Sequence, residues 1–391
     1  MISAPDKVNA FISTIFQIAR NYNFTRENFY LASLRSYQEL YLNYFEKLEA
    51  EAEATLRHHQ LPSTGGVTKN ILEEILSEQY AFSVDYETLA SENRMPLVKS
   101  IFIDGKAKIL ILDPNISDTQ KAFLLAKELA YQHLQIVERP KTFTWIHYHS
   151  FEEVLNNFRA SYFAGALLIP KGSFEEELRK FFRLKKWNPG RLASLLQQFT
   201  GKAQEVSAET FFQRLTNLLP GSFGMERLFF LRFEGEQGED FYSLTKELHL
   251  SRQHQPHGSY SEEHYCRRWI SLDILKQPEK YQHGDLEIGV QRSSYINTDS
   301  EYLVISIRQP DPFKPNFYRS ISVGIEVSAK LKKQVAFLND PAITKRQVSV
   351  TCEYCPLKGC EERAVPATRL QTEEQNDEIE KKVNAIVKAY Q

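Results

Sequence analysis

Apolar positions recur at helical spacing through the first part of the chain. Val8, Phe11, Ile15 and Ile18 make one stripe, and Leu34, Tyr37, Leu40, Tyr41 and Phe45 continue it. The pattern predicts a pair of long antiparallel helices within residues 6–60, suited to a packing arm or a dimerisation surface. LPSTGG at 61–66 interrupts it and marks a boundary. Beyond that point the period alternates. NILEEILSEQY reads as helix, while VKSIFIDG and KILILD read as short strands joined through Asp104-Gly105, a hairpin signal. SDTQKAFLLAKELAYQHL opens on a Ser117 or Asp118 cap and continues as helix. FEEVLNNFRASYFAGALLIP is a further helix, stopped by Pro170, and PGRLASLLQQF and SAETFFQRLTNLL carry the helical part to about residue 220.

From about residue 225 the chain turns to strands. ERLFFLRFEGEQGEDFYSL predicts a hairpin around Gly235 and Gly238, and EYLVISIRQ and FYRSISVGIEV predict strands. SAKLKKQVAFL is helical, and the end of the chain is a polar helix or a frayed tail. The expected fold class is α+β: a helical arm (1–66), a mixed domain (67–222), a C-terminal mixed α/β domain (223–370) and a helical tail (371–391).

A chain of 391 residues exceeds one ordinary core, and 42% hydrophobic with 25% charged residues is a soluble globular composition. The formal net charge of −2 gives no electrostatic footprint for direct binding to nucleic acid. No run approaches the roughly 18 apolar residues needed to span a bilayer, and MISAPDKVNAF is not a signal peptide. A cytoplasmic protein with no membrane partner is expected.

AFLLAKELAYQHL (122–134) has the frame of a zinc-peptidase helix, which needs imidazoles at i and i+4 and a glutamate after the first. Here those positions hold Lys127 and Tyr131, with Glu128 between them. A protonated lysine repels Zn²⁺, and tyrosine is a rare ligand for it. His133, two residues past Tyr131, lies about 200° away around the helix. The next helix offers Asn157 where a third carboxylate would lie. A glutamate without its metal has no water to activate, so peptidase chemistry is not expected.

The four cysteines are too few for a disulfide framework in a chain of this size. Cys352, Cys355 and Cys360 form C-x₂-C-x₄-C, a spacing whose turn brings thiolates onto one metal. Cys266 or His264 could complete the set. Zinc and a [4Fe–4S] cluster are both compatible, and so are three reduced thiols that bind nothing or an adventitious disulfide.

LLAKELAYQHLQI followed by FRASYFAGALLIPKGSF is similar to the ImmA/IrrE-type peptidase-like domain of bacterial regulators. Within that group the order FFQRLTNLLPGSFGMERLFFLRFE, YCRRW and CEYCPLKGCEERAVP resembles the short-chain fatty-acyl-CoA regulators, over residues 70–370. The resemblance implies a non-catalytic, dimeric transcription regulator with an acyl-CoA effector and favours iron–sulfur over zinc. It also implies an XRE-type helix-turn-helix. None is visible upstream of the long helices, so DNA contact is expected through a part not seen in this chain. For the effector, the resemblance asks for basic groups at the phosphates and an apolar tunnel. Arg267, Arg268, Trp269, Arg292, Tyr302, Arg308, Tyr318 and Arg319 are the candidates. Two rival readings stay open: an active metallopeptidase that cuts a repressor, and a structural zinc protein.

Overall fold

A computed structural model of the chain describes residues 25–63, 66–91, 98–105, 107–143, 148–200, 207–250, 264–296 and 298–389. The stripe at 8–18 lies outside them. Helix α1 (Arg26–Leu40) and α2 (Glu46–His58) correct the reading of one unbroken second helix. The chain breaks between them, where Leu42 and Asn43 take φ of 50° and 52°. Leu40 is 71% exposed, so the expected stripe does not end in a buried seam. Both helices lie instead against α6 (Phe151–Leu168).

The next elements are α3 (Lys69–Tyr80), β1 (Phe82–Asp85), α4 (Thr88–Ser91), β2 (Ser100–Asp104), β3 (Lys108–Leu112), α5 (Asp118–His133) and β4 (Thr142–Phe143). The strands form one sheet in the order β1-β3-β2-β4, with β1 parallel to β3 and the β2–β3 hairpin as expected. Ser117 caps α5 in a full capping box with Gln120. Nine residues of α5 from Ala122 to Tyr131 are buried, because the helix runs between the sheet side, α3 and α6.

Three more helices follow: α7 (Lys171–Phe182), which Pro170 starts, α8 (Pro189–Thr200) and α9 (Ala208–Phe223). The second sheet runs β11-β8-β9-β10-β5-β6. It comprises β5 (Leu228–Glu236), β6 (Tyr242–His249), β8 (Leu286–Tyr295), β9 (Glu301–Pro310), β10 (Phe317–Glu326) and β11 (Thr344–Val348), and the short β7 (Gln282–His283) pairs with β8. All pairs are antiparallel except β11 with β8.

One face of this sheet (Leu303, Ile305, Ile307, Ile321, Val323) joins the core of the helices. The other face (Phe229, Phe233, Tyr302, Val304) packs Cys266, Trp269 and α10 (Ile270–Lys276). A Cβ on Gly324 would sit 2.1 Å from the Phe229 ring, so this aromatic layer requires glycine there. The predicted helix SAKLKKQVAFL is cut to α11 (Ala329–Gln334), since Val335, Phe337 and Leu338 leave it to fill the core. The tail is α12 (Thr368–Ala389), with no buried residue.

Candidate functional site

The three degenerate positions do converge. Lys127 and Tyr131, one turn apart on α5, face Asn157 of α6. Lys127 Nζ donates to Asn157 Oδ1 at 2.5 Å, and Tyr131 Oη donates to the same oxygen at 3.4 Å. One amide oxygen thus gathers two donors where a metal would gather three ligands. Asn157 Nδ2 in turn donates to Tyr148 Oη at 3.2 Å. Burial pulls the Lys127 amine down to about 7, against the pull of the Glu128 charge. Burial likewise raises Tyr131 far above the ordinary phenol range and Tyr148 to about 12. An ion such as Zn²⁺ needs deprotonated, strongly donating ligands. A buried amine, a phenol held protonated and a carboxamide do not supply them, so this donor set does not fit zinc.

Glu128 is engaged as well. Arg139 grips both carboxylate oxygens, with Nη1 to Oε2 at 2.6 Å, and both side chains are 7% exposed. The guanidinium lies 3.7 Å from the Tyr131 ring and 4.0 Å from Phe102. Arg139 and Tyr148 were missed from the sequence: both lie beyond α5, outside any spacing rule. His133 points elsewhere, as its helical angle requires, and meets Glu51 of α2 at 2.9 Å.

A cavity of about 610 Å³ opens beside this site, between α1, α6, α9 and β6. Asn157, Tyr148, Phe158, Leu31, Gln213 and Leu244 are among the residues that line it. Two cations stand on it half-exposed, Arg35 paired to Glu247 and Lys246 paired to Glu209 at 3.2 Å. Burial pushes the Glu209 carboxyl up, but the Lys246 and Arg232 charges reverse that and bring it to about 2. On the cavity wall a buried fork ties α2 to α9. Arg214 Nη2 bonds Glu49 Oε2 at 2.6 Å, Tyr162 Oη donates to Glu49 at 2.6 Å, and Arg214 Nε donates to the Ile169 carbonyl.

None of the eight sequence-derived effector candidates lines that cavity. The register divides them. Tyr302, Arg308 and Tyr318 share the face that packs Trp269, whereas Arg292 and Arg319 share the opposite face. The arginines carry acidic partners: Arg267 with Asp240, Arg292 with Glu301, Arg308 with Glu287, and Arg319 with Asp311 and Glu234. Arg308 stacks on Tyr318 at 3.4 Å, and Tyr302 and Trp269 are buried among aromatics.

The four cysteines are brought together. Cys266, Cys352, Cys355 and Cys360 line one cavity of about 10 Å³, all as free thiols. Arg363 clamps their loop by donating to the carbonyls of Cys352, Cys355 and Leu357. Arg268 Nε and Thr351 Oγ1, on the same cavity, are buried without a hydrogen-bond partner. His264 is bound to Glu353 at 2.9 Å. Among the described residues, no three histidine, cysteine or acidic side chains are already arranged as a metal cage.

Residues 84–216 match the sequence profile of the IrrE N-terminal-like domain. Among solved structures, a Mycobacterium tuberculosis transcriptional regulator is similar in fold. The match has 18% identity and a TM-score of 0.57, over 85% of this chain and 93% of that one. No curated protein matches the sequence. No helix among the described residues is long and apolar enough to cross a membrane. Residues 84–216 are thus similar to an IrrE N-terminal-like domain, and within them Lys127, Tyr131 and Asn157 converge on one another.

Proposed function

We propose that this chain is the effector-sensing region of a transcription regulator, non-catalytic, with a short-chain acyl-CoA as its input. The observation that carries the reading is the 610 Å³ cavity, because one ligand in it touches α1, α6, α9 and β6 together. Its size suits a small molecule. The apolar positions suit an acyl chain, the amides and hydroxyls suit pantetheine, and half-exposed Arg35 and Lys246 suit phosphates. The IrrE-like domain and the fold shared with a regulator support the regulatory role.

A ligand that prefers one arrangement of these four elements shifts the population toward it, and α1 passes the change to its neighbours. We assign DNA contact to a helix-turn-helix domain not visible among the described residues and the working unit to a homodimer. The cysteine cavity is assigned to an iron–sulfur or zinc centre. On it Thr351 Oγ1 has no hydrogen-bond partner and Arg268 Nε stands 3.9 Å from Glu362 Oε2, donors that suit an anionic cluster. The grip of Arg139 on Glu128 supports the loss of catalysis.

Hydrogen exchange with and without propionyl-CoA tests the proposal. Slower exchange in residues 26–40, 151–168 and 242–249 is the expected result. Unchanged exchange in all three contradicts it.

A further inference from the structure

Asn157 and Tyr148 line the cavity beside the place where a zinc peptidase would hold its metal, Lys127 stands behind them, and the hydrogen bonds run in one direction. Lys127 donates to Asn157, and Asn157 donates to Tyr148, which lines the cavity. A hydroxyl that accepts still has its own proton to give. Among the described residues nothing takes the proton of Tyr148. A buried chain of this kind polarises each donor by the one behind it. The first member is an amine sunk in the protein, and the last is a hydroxyl at the cavity wall. A metal gives a carbonyl oxygen the same service, an electrophile fixed in advance of the ligand. The other half of peptidase chemistry is withheld, because Arg139 holds the carboxylate that would activate water.

We propose that Tyr148, backed by Asn157 and Lys127, is the anchoring subsite for the carbonyl oxygen of the ligand's acyl group. The inference deepens the acyl-CoA reading above and rests on it. It places the thioester at the Tyr148 wall of the cavity, which binds a carbonyl without cleaving it. The acyl chain then lies against Phe123 and Phe158, and the nucleotide end reaches toward Arg35 and Lys246. Burial keeps the Tyr148 phenol protonated, near 12, so the donor persists at every physiological pH.

The test is calorimetric titration of the full chain with propionyl-CoA and with S-propyl-CoA, the thioether that lacks the carbonyl. Wild type should bind the thioester about tenfold more tightly, the worth of one hydrogen bond. Tyr148→Phe should bind both at the thioether level. Equal binding of the two ligands by wild type overturns the subsite and leaves the sensing reading standing. So does a preference that persists in Tyr148→Phe. Failure of both ligands to bind overturns both.

Discussion

Lys127 Nζ lies 2.5 Å from Asn157 Oδ1, and this bond joins α5 to α6 at the point where a peptidase of this frame would be joined by its metal. The frame is kept and the donors are changed. Lys127→His, Tyr131→His and Asn157→Glu together should therefore take up one zinc more than wild type, counted by native mass spectrometry. A triple variant that folds and binds no additional zinc would show that the three positions only mimic a ligand triangle.

The Lys127 amine titrates near 7 in the folded chain, against an ordinary value of 10.5. Between those values the unfolded chain binds a proton that the folded one does not, so stability rises with pH across that window. Wild type should gain about 2 kcal/mol between pH 7.5 and 9.5 relative to Lys127→Met, measured by urea unfolding. Parallel curves for the two proteins would refute the buried titration.

Glu49 and Arg214 behave oppositely. Burial pushes the Glu49 carboxyl up, but the Arg214 guanidinium and the Tyr162 hydroxyl overcome this and hold it below its usual value. The stability it contributes is present above the normal carboxylate range and is lost as pH falls through the lowered value. Glu49→Gln leaves Arg214 buried without its counter-charge and should cost about 3 kcal/mol at pH 7. A cost under about 1 kcal/mol by denaturant titration would mean that the fork does not tie α2 to α9.

Among the cysteines, burial pushes the Cys266 thiol up to about 11, while Cys360 is the most exposed of the four. Native alkylation of metal-free protein should mark Cys360 first and Cys266 last. In protein purified without oxygen, the assigned centre should protect all four until a chelator or oxygen removes it. Identical labelling in both preparations would count against any metal at the cluster.

The positions that share a local period were legible in the sequence. The i, i+4 pair of Lys127 and Tyr131, the β2–β3 turn at Asp104 and the Ser117 cap all follow from neighbours in the chain. So does the convergence of Cys352, Cys355 and Cys360. What escaped depends on distance along the chain. Arg139 reaches Glu128 from beyond the helix end, Glu49 finds Arg214 across 165 positions, and the cavity draws its walls from six separate elements. The pairing register also decides which arginines share a face. No local pattern could reveal that Arg308 and Arg319 look in opposite directions.

The central claim is that the large cavity receives the effector, and Gly165 gives direct access to it. This residue lines the cavity from the last turn of α6, and a Cβ built on it meets nothing within 4 Å. Gly165→Leu should fill the space, keep the helix and leave the fold intact. The decisive measurement is calorimetric titration of wild type and Gly165→Leu with propionyl-CoA. Binding by wild type and at least a tenfold loss in the variant, about 1.4 kcal/mol, is the expected result. Equal affinity in the two proteins would place the effector elsewhere and contradict the account.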